Sequence, residues 1–215
     1  CGHHLLGVGN MAAGVAPKEY MEKEGMEGTI RYYGCPAEEN AGGKAFMVRD
    51  GAFDDCDFCL TWHAGATNYV NTTGCLANFR VFFTFHGTSS HAASNPHLGR
   101  SALDAVELMN IGCQFLREHM EPTSRIHYAI LDAGGTAPNM VQSHASVVYL
   151  IRARDSREVL ELKERVDLLA KGAAIMTETS WTSKVTSAYS DLITIPTLQK
   201  LANEAMHDIP LPVPT

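Results

Sequence analysis

The chain has 215 residues, enough for one large domain or two small ones, and its 45% hydrophobic and 19% charged residues are the balance of a soluble globular protein. A net charge of -7 without any basic stripe argues against nucleic acid as a main partner. No apolar run approaches the ~20 residues of a membrane helix, and the opening stretch lacks the basic region of a signal peptide.

Six cysteines are scattered at positions 1, 35, 56, 59, 75 and 113 in a chain too large to need staples, which reads as the reduced thiols of a cytoplasmic protein. The chain opens on Cys1 without a methionine and closes in "IPLPVPT", so it is read as a piece of a longer protein.

In chain order, residues 5–24 run in a helix-compatible pattern weakened by Gly14 and Pro17. "GTIRYYG", 28–34, alternates like a strand, and the loop "CPAEENAGG" follows. "GGKAFMVRDGAF" predicts a short helix ended by Gly51. "DFCLTWHA", 57–64, predicts a strand reaching His63. Strand, helix, strand implies an α/β layout with polar residues at strand ends, where such sheets bind ligands.

The character changes near Leu76. "NFRVFFTFHG" predicts a strand, and "SALDAVELMNIGCQFLREHM" an amphipathic helix with Leu103, Val106, Met109 and Leu116 on or near one face. "RIHYAIL" and "SVVYLIRA" are two more strands, "SREVLELKERVDLLAKGAAIMTE" a second long helix, and "SWTSKVTSAY" a last strand. This order, β-α-β-β-α-β, is that of a ferredoxin-like unit. "TIPTLQKLANEAM" begins another helix. The reading is a partial α/β catalytic domain, residues 1–76, into which a ferredoxin-like α+β domain, 77–189, is inserted as a lid or dimerisation element. Residues 190–215 return to the first domain.

Four places hold metal-binding or proton-moving groups. Cys1 and His3 in "CGHH" can reach one ion if Gly2 lets the backbone turn. Glu38 and Glu39 lie side by side among small residues, and His63 ends its predicted strand. Each is ordinary alone. Together, thiolate, imidazole and carboxylate near the strand ends of one sheet make a donor set that zinc accepts. In a two-metal hydrolase one carboxylate must bind metal while another stays free to move a proton, and adjacent loop residues diverge enough to do both. The fourth place is His91 in "GTSSHAASNPHLGRSALDA", before a predicted helix, where a polar capping role is the plain alternative.

The motifs "CGHHLLG", "YGCPAEENAGGKAFMVRDGAFDDCD", "TWHA", "SSHAASNPHLGRSALDAVELMN", "GGTAPNMV" and "YLIRARD" resemble the zinc-dependent aminoacylase and carboxypeptidase amidohydrolases over almost the whole chain. "SALDAVELMN" and "LREHMEPTSRIHY" favour the branch that includes the B-type component of aminobenzoyl-glutamate hydrolase and the plant auxin-conjugate hydrolases. The resemblance implies a metal-dependent amidohydrolase with two divalent ions, zinc or manganese, cleaving a small N-acyl or N-aroyl amino acid. It implies Cys1, His3, Glu39 and His63 as metal ligands and Glu38 as general base and acid. It implies that His91 reaches across a homodimer, formed by the inserted domain, to the carbonyl oxygen. Asn139 and Arg152 match positions that touch substrate, and a planar guanidinium suits a carboxylate through two parallel hydrogen bonds.

Departures are His4 after "CGH", where Asn or Asp is usual, and Cys35 before "PAEE", where Thr is common; either can supply an extra ligand. The family's late metal-binding histidine has no match, since His207 sits in a helix-like context, so that ligand is expected outside this chain. Two other readings stay open. A chain headed by Cys1 can be an N-terminal nucleophile hydrolase, although that fold needs a β-sandwich where this sequence has a helix. The chain can also be a binding or dimerising segment without activity. Cys56 and Cys59 lack the second pair of a structural zinc site, "RARDSRE" is a solvated charge cluster, and "GVGNMAAG" lacks the strand that precedes a nucleotide loop.

Overall fold

The computed structural model describes residues 2–39 and 42–209. The chain forms two compact units, residues 73–193 and residues 1–72 with 194–215.

In the first of these, β1 (Ala77–His86) alternates buried Val81, Phe83 and Phe85 with half-exposed neighbours, the period-two burial of a strand covered on one face. Helix α3 (Ala102–Leu116) follows, capped by Ser101, whose Oγ accepts from the Asp104 N–H at 3.0 Å. Next come β2 (Arg125–Asp132) and β3 (His144–Ala153). Helix α4 (Ser156–Thr177) is capped by Asp155, which accepts from the Glu158 N–H at 2.9 Å. It stops where Glu178 turns left-handed at φ 53°. β4 (Ser180–Tyr189) closes the unit.

The four strands form one antiparallel sheet in the order β2-β3-β1-β4. Both helices pack on the face that carries Val81, Phe83, Phe85, Val147, Tyr149 and Ile151. Val106, Met109, Cys113, Val159 and Val166 complete this core from the helices. The Tyr149 hydroxyl donates to Asn110 Oδ1 at 2.6 Å inside it. Burial pushes that phenol well above its ordinary range, so it stays a neutral donor.

The other unit contains α1 (His3–Glu24), α2 (Gly43–Arg49) and α5 (Pro196–His207). The expected strands at 28–34 and 57–64 are not strands, which corrects the strand-helix-strand reading of this region. A strand exists only through a partner edge that takes its N–H and C=O groups. Neither segment has such a ladder among the described residues. Side chains hold the extended run instead. Tyr33 donates to the Ala52 carbonyl at 2.5 Å, Tyr32 to the Gly7 carbonyl at 3.2 Å, and Arg31 pairs with Asp55 through both guanidinium nitrogens. No helix among the described residues is long and apolar enough to cross a membrane.

Candidate metal centre

The glutamate pair sits in a turn built for it. Ala37, just before Glu38, has φ 56°, a left-handed conformation that a residue with a side chain adopts only at a cost. The Gly42 N–H closes the turn by donating to the Ala37 carbonyl at 3.0 Å. The Pro36 carbonyl oxygen would lie 2.1 Å from any Cβ at Gly43, so only glycine fits there. Ala37, Gly42 and Gly43 therefore let the chain fold back tightly, and both carboxylates are exposed.

His3 begins α1, directly after Gly2, whose left-handed φ of 70° turns the chain at that point. His3 Nε2 lies 3.6 Å from Glu38 Oε2 and 3.6 Å from Glu39 Oε1. Two ligands each about 2.1 Å from one ion at a tetrahedral angle stand roughly 3.4 Å apart. The spacing thus suits a shared divalent ion. Neither glutamate pairs with lysine or arginine among the described residues.

His63 lies beside His3, its ring centroid 6.1 Å away and nearly perpendicular, but the group of ligand atoms close enough to share one ion is His3, Glu38 and Glu39. The His63 Nδ1 lies 2.9 Å from the Ala64 carbonyl, a contact that places the proton on Nδ1 and leaves the Nε2 lone pair free. Imidazole and carboxylate donors of this kind fit zinc or manganese. Cys1 lies outside the described residues. His4 is exposed on α1 and not part of the cluster, and the Cys35 thiol faces its neighbour's carbonyl, Tyr33 O, at 3.7 Å. His207 Nδ1 is engaged by the Asn203 carbonyl at 2.7 Å within α5. The residues after Cys1 form α1 rather than a β-sandwich.

Within residues 73–193, the exposed His91 caps its own turn. Its Nδ1 accepts from the Ala93 and Ser94 N–H groups, each at 3.2 Å. That fixes the tautomer with the proton on Nε2, a donor pointing away from the turn. The polar capping role that the sequence offers as the plain alternative for His91 is the one its Nδ1 fills. Asn139 is brought alongside, since its carbonyl accepts from the Ala92 N–H at 2.9 Å and Met140 bridges to His91. Arg152 is elsewhere. It pairs across β1 with Asn78, whereas the His91 turn follows His86 at the other end of that strand. Eight residues of strand span about 27 Å.

Residues 76–176 match the M20_dimer family, described as the peptidase dimerisation domain. They belong to that domain family. Over 206 residues, 96% of its length, the chain is 48% identical to the B-type component of p-aminobenzoyl-glutamate hydrolase from Escherichia coli K12, and covers 43% of that protein. It is 32% identical to a mouse Xaa-Arg dipeptidase over 82% of this chain and 41% of that one. The chain thus spans less than half the length of these curated relatives. The crystal structure of an aminobenzoyl-glutamate utilization protein from Klebsiella pneumoniae superposes with a TM-score of 0.64 at 25% identity, over 81% of this chain and 46% of that one. The resemblance read from the motifs, aminobenzoyl-glutamate branch included, is borne out by these relatives. The M20 dimerisation domain of this chain is the mixed unit with the four-stranded antiparallel sheet.

Proposed function

We propose that this chain carries metal ligands, proton shuttle and substrate grip of a metal-dependent amidohydrolase that cleaves an N-acyl or N-aroyl amino acid, including conjugates of the aminobenzoyl-glutamate kind. The observation that carries the reading is the convergence of His3, Glu38 and Glu39 from two separate stretches of sequence, with the His63 ring beside His3. Relatives named as hydrolases and dipeptidases support it.

His3, Glu39 and His63, with Cys1, would hold the metal, two ions of zinc or manganese. Bound metal supplies Lewis-acid polarisation of the amide carbonyl and lowers the cost of deprotonating water. Glu38 and Glu39 are equidistant from His3, so the division of roles between them follows from their order in the motif. Glu38 takes the proton from the attacking water and delivers it to the departing amine nitrogen. His91 donates from Nε2 to the carbonyl oxygen as negative charge grows there. Arg152 holds the substrate carboxylate through two parallel hydrogen bonds, and Asn139 contacts substrate beside His91.

The order β-α-β-β-α-β and strand order β2-β3-β1-β4 support naming residues 77–189 a ferredoxin-like lid, inserted between catalytic segments 1–76 and 190–215. The separation of Arg152 from His91 supports a homodimer formed by this lid. A small substrate cannot span the sheet, so one copy gives Arg152 and the other His91. Five free cysteines among the described residues support a cytoplasmic setting. Hydrolysis of N-benzoyl amino acids should disappear on chelation and return with zinc or manganese. A metal-loaded protein with intact His3 and Glu39 that releases no amino acid would sink the reading.

A further inference from the structure

The sheet of residues 73–193 carries two histidines that take no part in the proposed hydrolysis. His86 ends β1 and His144 begins β3, and the register sets them directly opposite each other. Residues opposite on antiparallel strands share a face, and both of these are exposed. Their ring centres lie 5.5 Å apart with the planes tilted by 57°, so the rings do not stack face to face. Two imidazoles bound at about 2.1 Å to one tetrahedral ion place their ring centres roughly 5.3 Å apart. The observed separation fits that arrangement.

Asp132, at the end of β2, orients one of the two rings. His144 Nδ1 lies 3.0 Å from Asp132 Oδ2. The Gly134 N–H donates to the other carboxylate oxygen at 2.8 Å and, with His144, holds the Asp132 carboxyl below its ordinary range. An ionised Asp132 accepts from the Nδ1–H of His144 and leaves the Nε2 lone pair free. A carboxylate behind the remote ring nitrogen is the partner that metal-ligating histidines regularly have. Asp132 is not a third ligand of the same ion, because three side chains converge closely enough for that only at His3, Glu38 and Glu39 among the described residues. It stands behind His144, and water completes the shell. The ring nitrogens of His86 have no hydrogen-bond partner among the described residues.

We propose that His86 and His144 bind one divalent transition-metal ion, zinc or a similar ion such as nickel or copper, with Asp132 orienting His144. Imidazole nitrogen suits such ions, whereas magnesium and calcium take oxygen. The position of the pair gives the ion its role. Gly87 follows His86 and Ser143 precedes His144, and the Gly87 N–H donates to the Ser143 carbonyl at 2.8 Å. The turn that carries His91 and the loop that carries Asn139 therefore both leave the sheet at this pair. One ion bridging the two rings ties the roots of both segments together. It braces them and takes no part in bond breaking, so the site stands apart from the hydrolytic reading.

The test counts zinc bound to the full chain by atomic emission after equilibrium dialysis, at zinc levels too low for a lone surface imidazole to hold an ion. The counts are repeated in a His3→Ala/Glu39→Gln background, which weakens the other cluster. In both series His86→Ala and His144→Ala should each remove one ion per chain, and the two changes together should remove no more than either alone. Asp132→Asn, which keeps both rings, should weaken that ion about 10- to 100-fold. Zinc should raise the melting temperature of the wild type more than that of His144→Ala, since an ion held only by the folded state stabilises it. Zinc-free circular dichroism checks the fold of each variant, and Asp132→Asn carries the decision if an alanine variant unfolds. An unchanged zinc count in either folded histidine variant, or unchanged affinity in Asp132→Asn, overturns the assignment.

Discussion

The two units of this chain are stabilised in different ways. Every fully buried apolar side chain among the described residues lies between Ala77 and Ala174, within the unit at 73–193. The unit at 1–72 and 194–215, which holds His3, Glu38, Glu39 and His63, buries no large side chain among the described residues. Leu5, Val8, Met11, Phe58 and Leu60 stay exposed there. The dimerisation unit pairs four strands in one open sheet, with β2 and β4 at its edges, and covers one face with its own helices, so its hydrophobic core is self-contained. The site-bearing unit has its chemistry in turns and helix ends, fixed by glycine geometry and side-chain hydrogen bonds rather than by a core.

The most direct challenge to this contrast is to separate the units. Residues 73–193 alone should unfold cooperatively with the several kcal/mol typical of a small domain, followed by circular dichroism in urea. Residues 1–72 alone should show no cooperative transition. Cooperative unfolding of 1–72 would mean that its exposed apolar residues find a core after all.

Glu38→Gln comes next in size. It should lower kcat by about 10²-fold or more while metal content, measured by atomic emission, stays at the wild-type level. Metal loss with Glu38→Gln and retention with Glu39→Gln would show the two roles reversed. Neither change should move the melting of the 73–193 unit.

A smaller effect is expected inside the core. Tyr149→Phe leaves Asn110 Oδ1 buried without its donor and should cost about 1–3 kcal/mol in chemical denaturation. Metal binding at His3 and the glutamates should not change. A matching loss of metal affinity would show the units energetically coupled.

The smallest effect is a pH dependence at the start of α4. The Glu158 N–H holds the Asp155 carboxyl below its ordinary range, with Arg157 and Arg154 helping. A carboxyl lowered in the folded state stabilises fully above its unfolded pKa, and the contribution fades as pH falls through the folded one. Melting of 73–193 should therefore decline in acid more steeply for the wild type than for Asp155→Asn, which keeps a cap that does not titrate. Parallel pH curves would remove Asp155 from the account.

Much of the dimerisation unit was legible in the sequence because its signals are local. Period-two apolar residues marked "NFRVFFTFHG" and "SVVYLIRA", and helical spacing placed Val106, Met109 and Leu116 on one face, all three of them buried. The alternation in "GTIRYYG" carried the same signal without the same outcome, since a strand also needs an edge to pair with and the segment has none among the described residues. For the candidate site, residue types named the chemistry: adjacent carboxylates, two histidines, an arginine. Tertiary structure alone set the 3.6 Å spacing of His3 from both glutamates, because that distance depends on a left-handed Ala37 and a glycine pressed against the Pro36 carbonyl. It alone put His86 opposite His144, because strand register joins positions 58 residues apart that no local pattern relates.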